Sequence, residues 1–406
     1  MSKSKKIVFF TQLYYPDMTT TAILMTDLAE DLANLGLNVQ VVSAQPTYLV
    51  KKRSPKKEIH NNVEIHRVWS FLFDKNNNIG RLLNGISCFL SMLLYLFKTH
   101  PNDILIFNTN PALLPYLGYV ANKLRKQRVV ILIHDLWPEL PANIGLIKKD
   151  SLIYKIIDYL LTLAYRRAAK IVVLSDAMRK VVSSKISHNM NKIEVIHNWA
   201  DKTRIFPVPK EKNSLLRKIN PEGRKIVMYS GNLGRYQPLE VMLEAAVLLR
   251  NREDILFLFV GNGAKKPKLE AMASKANLNN VLFLPFQPLD KLAESLSMAD
   301  ISLLGIEPQN EGVIMPSKLY GLLAVGKPII CVSAPDSEVA QIIEGAKAGV
   351  QVSPDDPESL VEKILFFLEN PDQAKKMGEN GLNYFEKNFE RKIITKQWYN
   401  LLSNIS

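Results

Sequence analysis

The sequence predicts two consecutive α/β domains, each built on a parallel sheet, and three observations point there. Short, continuous apolar runs recur along the 406 residues, the pattern of strands buried on both faces. Stretches with leucines at helical spacing separate them, so the repeating unit is strand, helix, strand. The series pauses once, across residues 202–220, which carry Pro207, Pro209 and four lysines, and then begins again.

The first unit of the pattern is the clearest. Residues 6–10 (KIVFF) read as a buried strand, followed by a polar loop, YPDMTTT. Leu24, Leu28, Leu32 and Leu35 then mark a helix face that stops at Gly36, where a glycine suits the end of a helix. Strand signals follow at 38–43, 103–107, 128–133, 170–174 and 192–196. After the pause they return at 225–229, 255–260, 281–284, 301–304, 328–332 and 349–352. The expected domains are therefore 1–205 and 206–406, with the last helix able to pack back on the first domain. A ligand between two such domains would sit in a cleft.

Composition narrows the classes. With 47% apolar and 22% charged residues, the chain can bury a sizeable core, and extensive disorder is excluded. Cys88 and Cys331 are far apart in apolar surroundings and read as buried thiols in a reducing compartment; two cysteines make no zinc site. The N-terminus passes from a short basic stretch directly into a strand, without a secretory leader pattern, so a cytoplasmic location is expected. The net charge of +13 lies wholly in one half: residues 1–206 hold 28 Lys/Arg against 15 Asp/Glu, and the remainder balances at 24 and 24. A basic half beside a neutral one suits an anionic partner, either a phospholipid surface or nucleic acid, or else serves solubility. Aromatic-studded basic strands that would favour nucleic acid are not visible.

Residues 82–97 (LLNGISCFLSMLLYLF) stand apart, nearly all apolar between Arg81 and Lys98. The run is short for a membrane span. It is either a helix buried in the sheet packing or one whose outer face lies in a membrane interface. Helical length favours the first reading, and the neighbouring basic run at 51–57 with the charge excess brings the second level with it, so both stay open.

The stretch from Glu307 to Gly321 carries the most chemistry. It follows a strand and leads into a helix expected near Pro316. Free N–H groups and the positive dipole end invite an anion there, and Lys318 adds a cation. Glu311 would repel phosphate and is useful only against hydroxyls or a cationic centre, which a sugar joined to a diphosphate supplies. Two loops, YSGNLGR with Gly231, Asn232 and Arg235, and FVGNG with Gly261, end neighbouring strands of the same domain. Ligands of parallel α/β sheets bind at that edge. FVGNG lacks the third glycine of a dinucleotide fingerprint, which disfavours a nicotinamide dehydrogenase. In the first half, IHDLWPE follows a strand; His134 could bond a substrate hydroxyl or move a proton, or it is simply packed beside a helix capped by Asp135. Asp17, Thr19, Thr20 and Thr21 open another helix and suit a second substrate. The chain has no Asp-x-Asp pair, GxxxxGK[ST], HExxH or GxSxG. A diphosphate would therefore meet Lys, Arg and backbone amides rather than a metal ion.

These stretches together (YYPDMTTTA, HDLWPE, VIHNWAD, MYSGNLGRYQPLE, FVGNGAKK, FLPFQP and EGVIMPSKLYG followed by AVGKPII) resemble the retaining glycosyltransferases of family 4, nearly end to end. The resemblance implies a GT-B fold, with two Rossmann-like domains facing a cleft, and a metal-independent, hexosyltransferase-type reaction without a cofactor. It is similar to the bacterial branch that adds amino-deoxy sugars such as N-acetyl-L-fucosamine to lipid-carried O-antigen or capsule units. A uridine-diphosphate sugar would lie in the second domain, with Gln287 by the base. Glu311 would face the donor sugar, near the backbone amides of Gly312, Val313 and Ile314, with Ser317 in the same loop. His134 would contact the transferring sugar. The acceptor would be a polyprenyl-diphosphate saccharide at the inner leaflet, met by the basic first domain. A nucleotide-sugar 2-epimerase of the same fold is the alternative, and a basic nucleic-acid-binding protein a more distant one. Two departures shift roles. The family's second glutamate falls at Leu319 by spacing, or at Gly321 when Pro-Ser-Lys is aligned, and neither is acidic. The usual Gly-Arg…Lys-Gly phosphate pair is Gly231-Asn232 with Gln237-Pro238 here, which passes that role to Arg235 and Lys318.

Overall fold

The computed structural model of the chain describes residues 5–46, 54–73, 78–187, 189–220 and 222–405. The basic residues Lys51, Lys52 and Arg53 lie outside these. The chain divides into two compact units. One is Met1–His197 with Gly312–Met315 and Thr395–Ser406; the other is Asn198–Glu311 with Pro316–Ile394.

The sheet of the first unit is built from β1 (Ile7–Thr11), β2 (Val39–Ser43), β3 (Lys57–His60), β4 (Val63–Arg67), β5 (Ile104–Asn108), β6 (Arg128–Ile133), β7 (Lys170–Val173) and β8 (Ile193–Val195). They lie in the order β3-β4-β2-β1-β5-β6-β7-β8. β1 sits centrally, with Phe9 level with Val41 on one side and Ile106 on the other. All five residues of β1, β2 and β5 are buried, which explains their unbroken apolar runs. The helices are α1 (Thr20–Asn34), α2 (Asn78–Leu96), α3 (Leu114–Arg125), α4 (Glu139–Asn143), α5 (Leu152–Arg167) and α6 (Asp176–Lys185). Residues 395–406 also belong to this unit: Thr395 Oγ1 donates to Asp31 at 2.8 Å, and Arg128 donates to the Ile405 carbonyl at 2.6 Å.

The β3–β4 hairpin is absent from the sequence expectation. It is the antiparallel pair of this sheet, turned by Asn61 and Asn62, both at positive φ (45° and 66°). Two such residues make the tight turn whose twist matches the strands. The exposed, charge-rich KEIH strand hides its alternation, so the run reads as a basic patch.

Helix α2, which takes in residues 82–96, has one buried and one exposed side. Asn84, Cys88, Met92 and Leu96, four apart, form a buried stripe. The other side carries Ile79, Leu82, Ile86, Leu90 and Leu94 in the open, Leu82 at 63% and Leu94 at 71% exposure. A strap from Trp69 to Phe73 lies along it: Phe71 N–H donates to Ser87 Oγ and Phe73 N–H to Asn84 Oδ1, each at 3.0 Å. Trp69 meets Phe71 edge-on, Phe71 meets Phe73 at a tilt, and all three stay exposed. Helix α3 packs against both α2 and α5, and α5 also turns Leu152, Ile153, Ile156 and Tyr159 outward. Among the described residues no helix is long and apolar enough to cross a membrane.

The second unit holds β9 (Lys225–Ser230), β10 (Ile255–Val260), β11 (Val281–Leu284), β12 (Ile301–Gly305), β13 (Ile329–Val332) and β14 (Gly349–Val352), all parallel, in the order β11-β10-β9-β12-β13-β14. The order in which strands are added reverses between β9 and β12, which makes that pair the switch point of a doubly wound sheet. Its helices are α7 (Ser214–Ile219), α8 (Leu239–Leu248), α9 (Lys266–Lys275), α10 (Leu292–Ser297), α11 (Lys318–Ala324), α12 (Glu338–Gly345), α13 (Pro357–Glu369), α14 (Pro371–Asn388) and α15 (Arg391–Ile405), the last continuing beyond this unit. Helix α7 interrupts the stretch expected to be a featureless linker. Asn213 caps it by accepting from Leu216 N–H at 2.9 Å and ties it down by donating to the Glu294 carbonyl at 2.7 Å. Six residues are too few for a helical period to show in sequence.

Candidate functional site

The loops after β9 and β12 flank the switch point, and the loop after β10 locks onto the first of them. Leu233 N–H donates to the Asn262 carbonyl and Lys265 N–H to the Leu233 carbonyl, both at 2.9 Å. Gly261, at φ 146°, is the hinge of this fit: a Cβ there would lie 1.9 Å from the Gly231 carbonyl oxygen. The absence of a side chain there lets the two loops pack backbone to backbone. The Lys265 ammonium fastens the cluster, donating to the Gln237 carbonyl and Glu240 at 2.6 and 2.7 Å, with Glu307 at 3.3 Å.

Against this frame lies Lys318, the first residue of α11. Its Nζ donates to the Tyr229 hydroxyl and stands 4.0 Å from the centre of the Tyr229 ring. A methyl group on Gly231 would come within 3.0 Å of it. The Tyr229 hydroxyl in turn donates to the Asn232 carbonyl at 2.9 Å, so the cation is linked to the loop after β9. Enclosure of the ammonium pulls its pKa from 10.5 down to about 7. Arg235 is exposed at the tip of the same loop. Helix α11 starts two residues later than expected, with Ser317, half-buried, in the cap position and Pro316 before it.

Glu311 ends the short turn Pro308–Asn310 after β12. Its Oε1 accepts the backbone N–H of Glu338 at 2.9 Å, the first of α12, whose cap is the Ser337 hydroxyl, while Oε2 is buried with no protein partner. Burial, with Glu338 and Asp336 nearby, raises its pKa. Beside it the fully buried Asn310 amide has neither its oxygen nor its nitrogen paired with protein. Sequence reasoning missed Asn310 and Tyr229 alike. Gln287 follows β11 at the sheet's edge, two strands from β9, its amide turned onto the Pro285 carbonyl at 2.9 Å.

The remaining candidates belong to the first unit. His134 follows β6; its Nε2 is buried without a protein partner, and burial lowers its pKa to about 4, leaving a neutral imidazole at physiological pH. Asp135 does not cap α4, whose cap position is Pro138 without a side-chain bond; it bridges to Ile314 instead. Leu136 N–H donates to the Val313 carbonyl at 2.9 Å. Gly312, at φ 71°, packs on Ala177 and Val181. Asp17 is buried, its N–H bonded to the Tyr14 carbonyl at 3.0 Å. Thr19 spends its hydroxyl on the α1 cap, accepting from Ala22 N–H at 3.3 Å; Thr20 is exposed and Thr21 half-buried. Nearby, and not foreseen because it ends the unexpected β4, Arg67 is buried with bonds to the Tyr15 and Pro55 carbonyls and Glu58. Among the described residues no three His, Cys, Asp or Glu side chains come together as metal ligands would.

Comparison with known proteins places the chain in a family. Residues 21–204 match the family "Glycosyltransferase Family 4", and residues 211–384 match "Glycosyl transferases group 1", between them most of the chain. WbjE of Pseudomonas aeruginosa, named as a glycosyltransferase, is 29% identical over 302 residues, covering 72% of this chain and 74% of WbjE. WcaI of Escherichia coli K12, named for colanic acid biosynthesis, is 27% identical over 97% of this chain and 99% of its own. Anabaena HepE, solved in complex with UDP and glucose, superposes with a TM-score of 0.75 at 16% identity, over 98% of this chain and all of HepE (100%). The chain is a family 4 glycosyltransferase of the GT-B fold.

Proposed function

We propose that the protein moves a sugar, of the N-acetyl-L-fucosamine type, from a uridine-diphosphate donor to a polyprenyl-diphosphate saccharide during surface polysaccharide assembly, with retention at the anomeric carbon. The observation that carries this reading is the cation at the sheet's switch point: Lys318 beside Gly231, with Glu311 in the same loop. Lys318 and Arg235 neutralise the donor diphosphate, the backbone amides of Gly312, Val313 and Ile314 lie by it, and Gln287 by the base. The Glu311 Oε2, buried without a partner, accepts a hydroxyl of the transferring sugar, and the neutral imidazole of His134 bonds another. The anomeric carbon–oxygen bond breaks with its electron pair leaving on the diphosphate. The acceptor oxygen bonds to that carbon from the same face, and its proton passes to the departing phosphate oxygen. Stabilising the leaving charge is the main catalytic contribution, since preformed cations need no reorganisation as the charge develops. That HepE was solved with UDP and glucose supports a uridine-linked donor, and the name of WcaI supports a polysaccharide product.

The acceptor is met at the inner face of the cytoplasmic membrane. The layer of α2, α3 and α5 supports this reading: its outer side is apolar, and residues 78–126 and 148–167 hold ten Lys/Arg against three Asp/Glu. An anionic bilayer interface satisfies both properties. Asp17 and Thr19–Thr21 stand at the acceptor side of the first unit.

The test is a thermal-shift panel of nucleotide diphosphates with and without Mg²⁺, followed by transfer of labelled sugar to a lipid-linked saccharide. A shift with uridine nucleotides independent of Mg²⁺ is expected. Near-normal transfer by both Glu311→Ala and Lys318→Ala would remove the site assignment.

A further inference from the structure

Tyr229 is the penultimate residue of β9, and its ring position alone would make it a core residue. Its hydroxyl does something else, because it joins two groups of the donor loop: it accepts from Lys318 Nζ and donates to the Asn232 carbonyl. The ammonium also lies on the ring face, hard against Gly231. An amine enclosed in this way has no counter-ion. From β9 the facing titratable group is Tyr229, whose phenol burial holds far above neutrality, so it carries no charge. Among the described residues no carboxylate, arginine or second lysine acts on Nζ; desolvation is the cause of its perturbation. The phenol can steady a lysine without neutralising it, which leaves the positive charge to be completed by an anion.

We propose that Tyr229 is a positioning residue that holds Lys318 over the Gly231–Asn232 loop, and that donor binding drives uptake of one proton onto this lysine. The inference rests on the reading that these loops hold the donor diphosphate. The balance is simple: the neutral amine takes H⁺ from solvent as the anionic diphosphate arrives, and no other bond changes. The supporting energetics follow from the lowered pKa of about 7. Below it the lysine is already charged and little proton is taken up. Above it uptake approaches one proton, and donor affinity falls about tenfold per pH unit.

UDP-N-acetylglucosamine is a suitable probe, because its diphosphate is esterified at both ends and does not titrate near neutrality. Calorimetry at pH 6 and pH 8, in pairs of buffers with different ionisation enthalpies, reads the uptake directly. Close to one proton is expected at pH 8 and little at pH 6. Lys318→Arg, permanently charged, should abolish the difference. Tyr229→Phe keeps the ring and removes the acceptor; it should shift the pH midpoint of the donor KM downward while changing kcat less. A purely structural role for the hydroxyl would lower stability and leave that midpoint in place. Binding at pH 8 without uptake, or equal uptake in Lys318→Arg, overturns the inference and leaves the donor site standing. Failure of the probe and of UDP to bind at all overturns both.

Discussion

An enclosed ammonium without a carboxylate partner lowers the stability of the protein that holds it. Lys318 has a folded pKa of about 7 against 10.5 for a free side chain, so between those values the unfolded chain binds more protons. Stability from this group therefore rises as pH climbs from about 7 toward 10.5 and is lowest on the acid side. Lys318→Met should raise the thermal midpoint at pH 6.5 to 7, with the gain shrinking toward pH 9, while transfer falls about 10²-fold through loss of leaving-group stabilisation. Scanning calorimetry across that range, alongside transfer rates, checks both; a variant that is inactive and also less stable contradicts the account. Glu311, whose pKa burial raises, also holds structure, because one of its oxygens accepts the first N–H of α12. Glu311→Ala should cost about 1 kcal/mol in urea unfolding from the lost hydrogen bond to the Glu338 N–H, and Glu311→Gln should keep most of that stability while still losing transfer. The residue types at these positions were legible in sequence, since a lysine and a glutamate after a buried strand stand out. Tyr229 and Asn310 were not: an aromatic at a strand end reads as core, and nothing in a sequence marks an amide whose partners are missing.

At the level of elements, the strands buried on both faces announced themselves because an unbroken apolar run has few other uses. The β3–β4 hairpin did not, since its edge strand faces solvent and carries charge. Its turn offers a direct check. Asn62→Val at φ 66° should destabilise by about 1–2 kcal/mol, the cost of a branched side chain in the left-handed region. Asn62→Gly should be tolerated, and urea titrations of the two variants should separate accordingly. The loops after β9 and β10 depend on each other in a way that glycine spacing only half reveals. Gly261→Ala must push away the Gly231 carbonyl, so loss of uridine-nucleotide binding with a largely intact fold by circular dichroism is expected. A variant that binds normally would mean the two loops can separate without consequence.

For the molecule as a whole, the uneven charge was evident from counting, whereas the exposed apolar side of α2 and α5 emerged only from the structure. Leucines turned outward on α2 should each contribute to bilayer partitioning, so Leu90→Gln and Leu94→Gln should each weaken sedimentation with phosphatidylglycerol vesicles about tenfold. Transfer to a short-chain, detergent-free acceptor should be unchanged. Added salt should weaken vesicle binding without abolishing it, because screening acts on the basic residues and leaves the apolar contribution intact. Complete release at moderate salt would indicate a purely electrostatic attachment.

The two buried thiols bear on how such experiments are done. Cys88 and Cys331 are both free and enclosed, and burial pushes each up to about 12, far from the thiolate form that alkylating dyes attack. The unmodified chain should therefore stay dark toward a maleimide fluorophore under native conditions. One cysteine introduced at position 90 would then report on the polarity around α2 against a silent background.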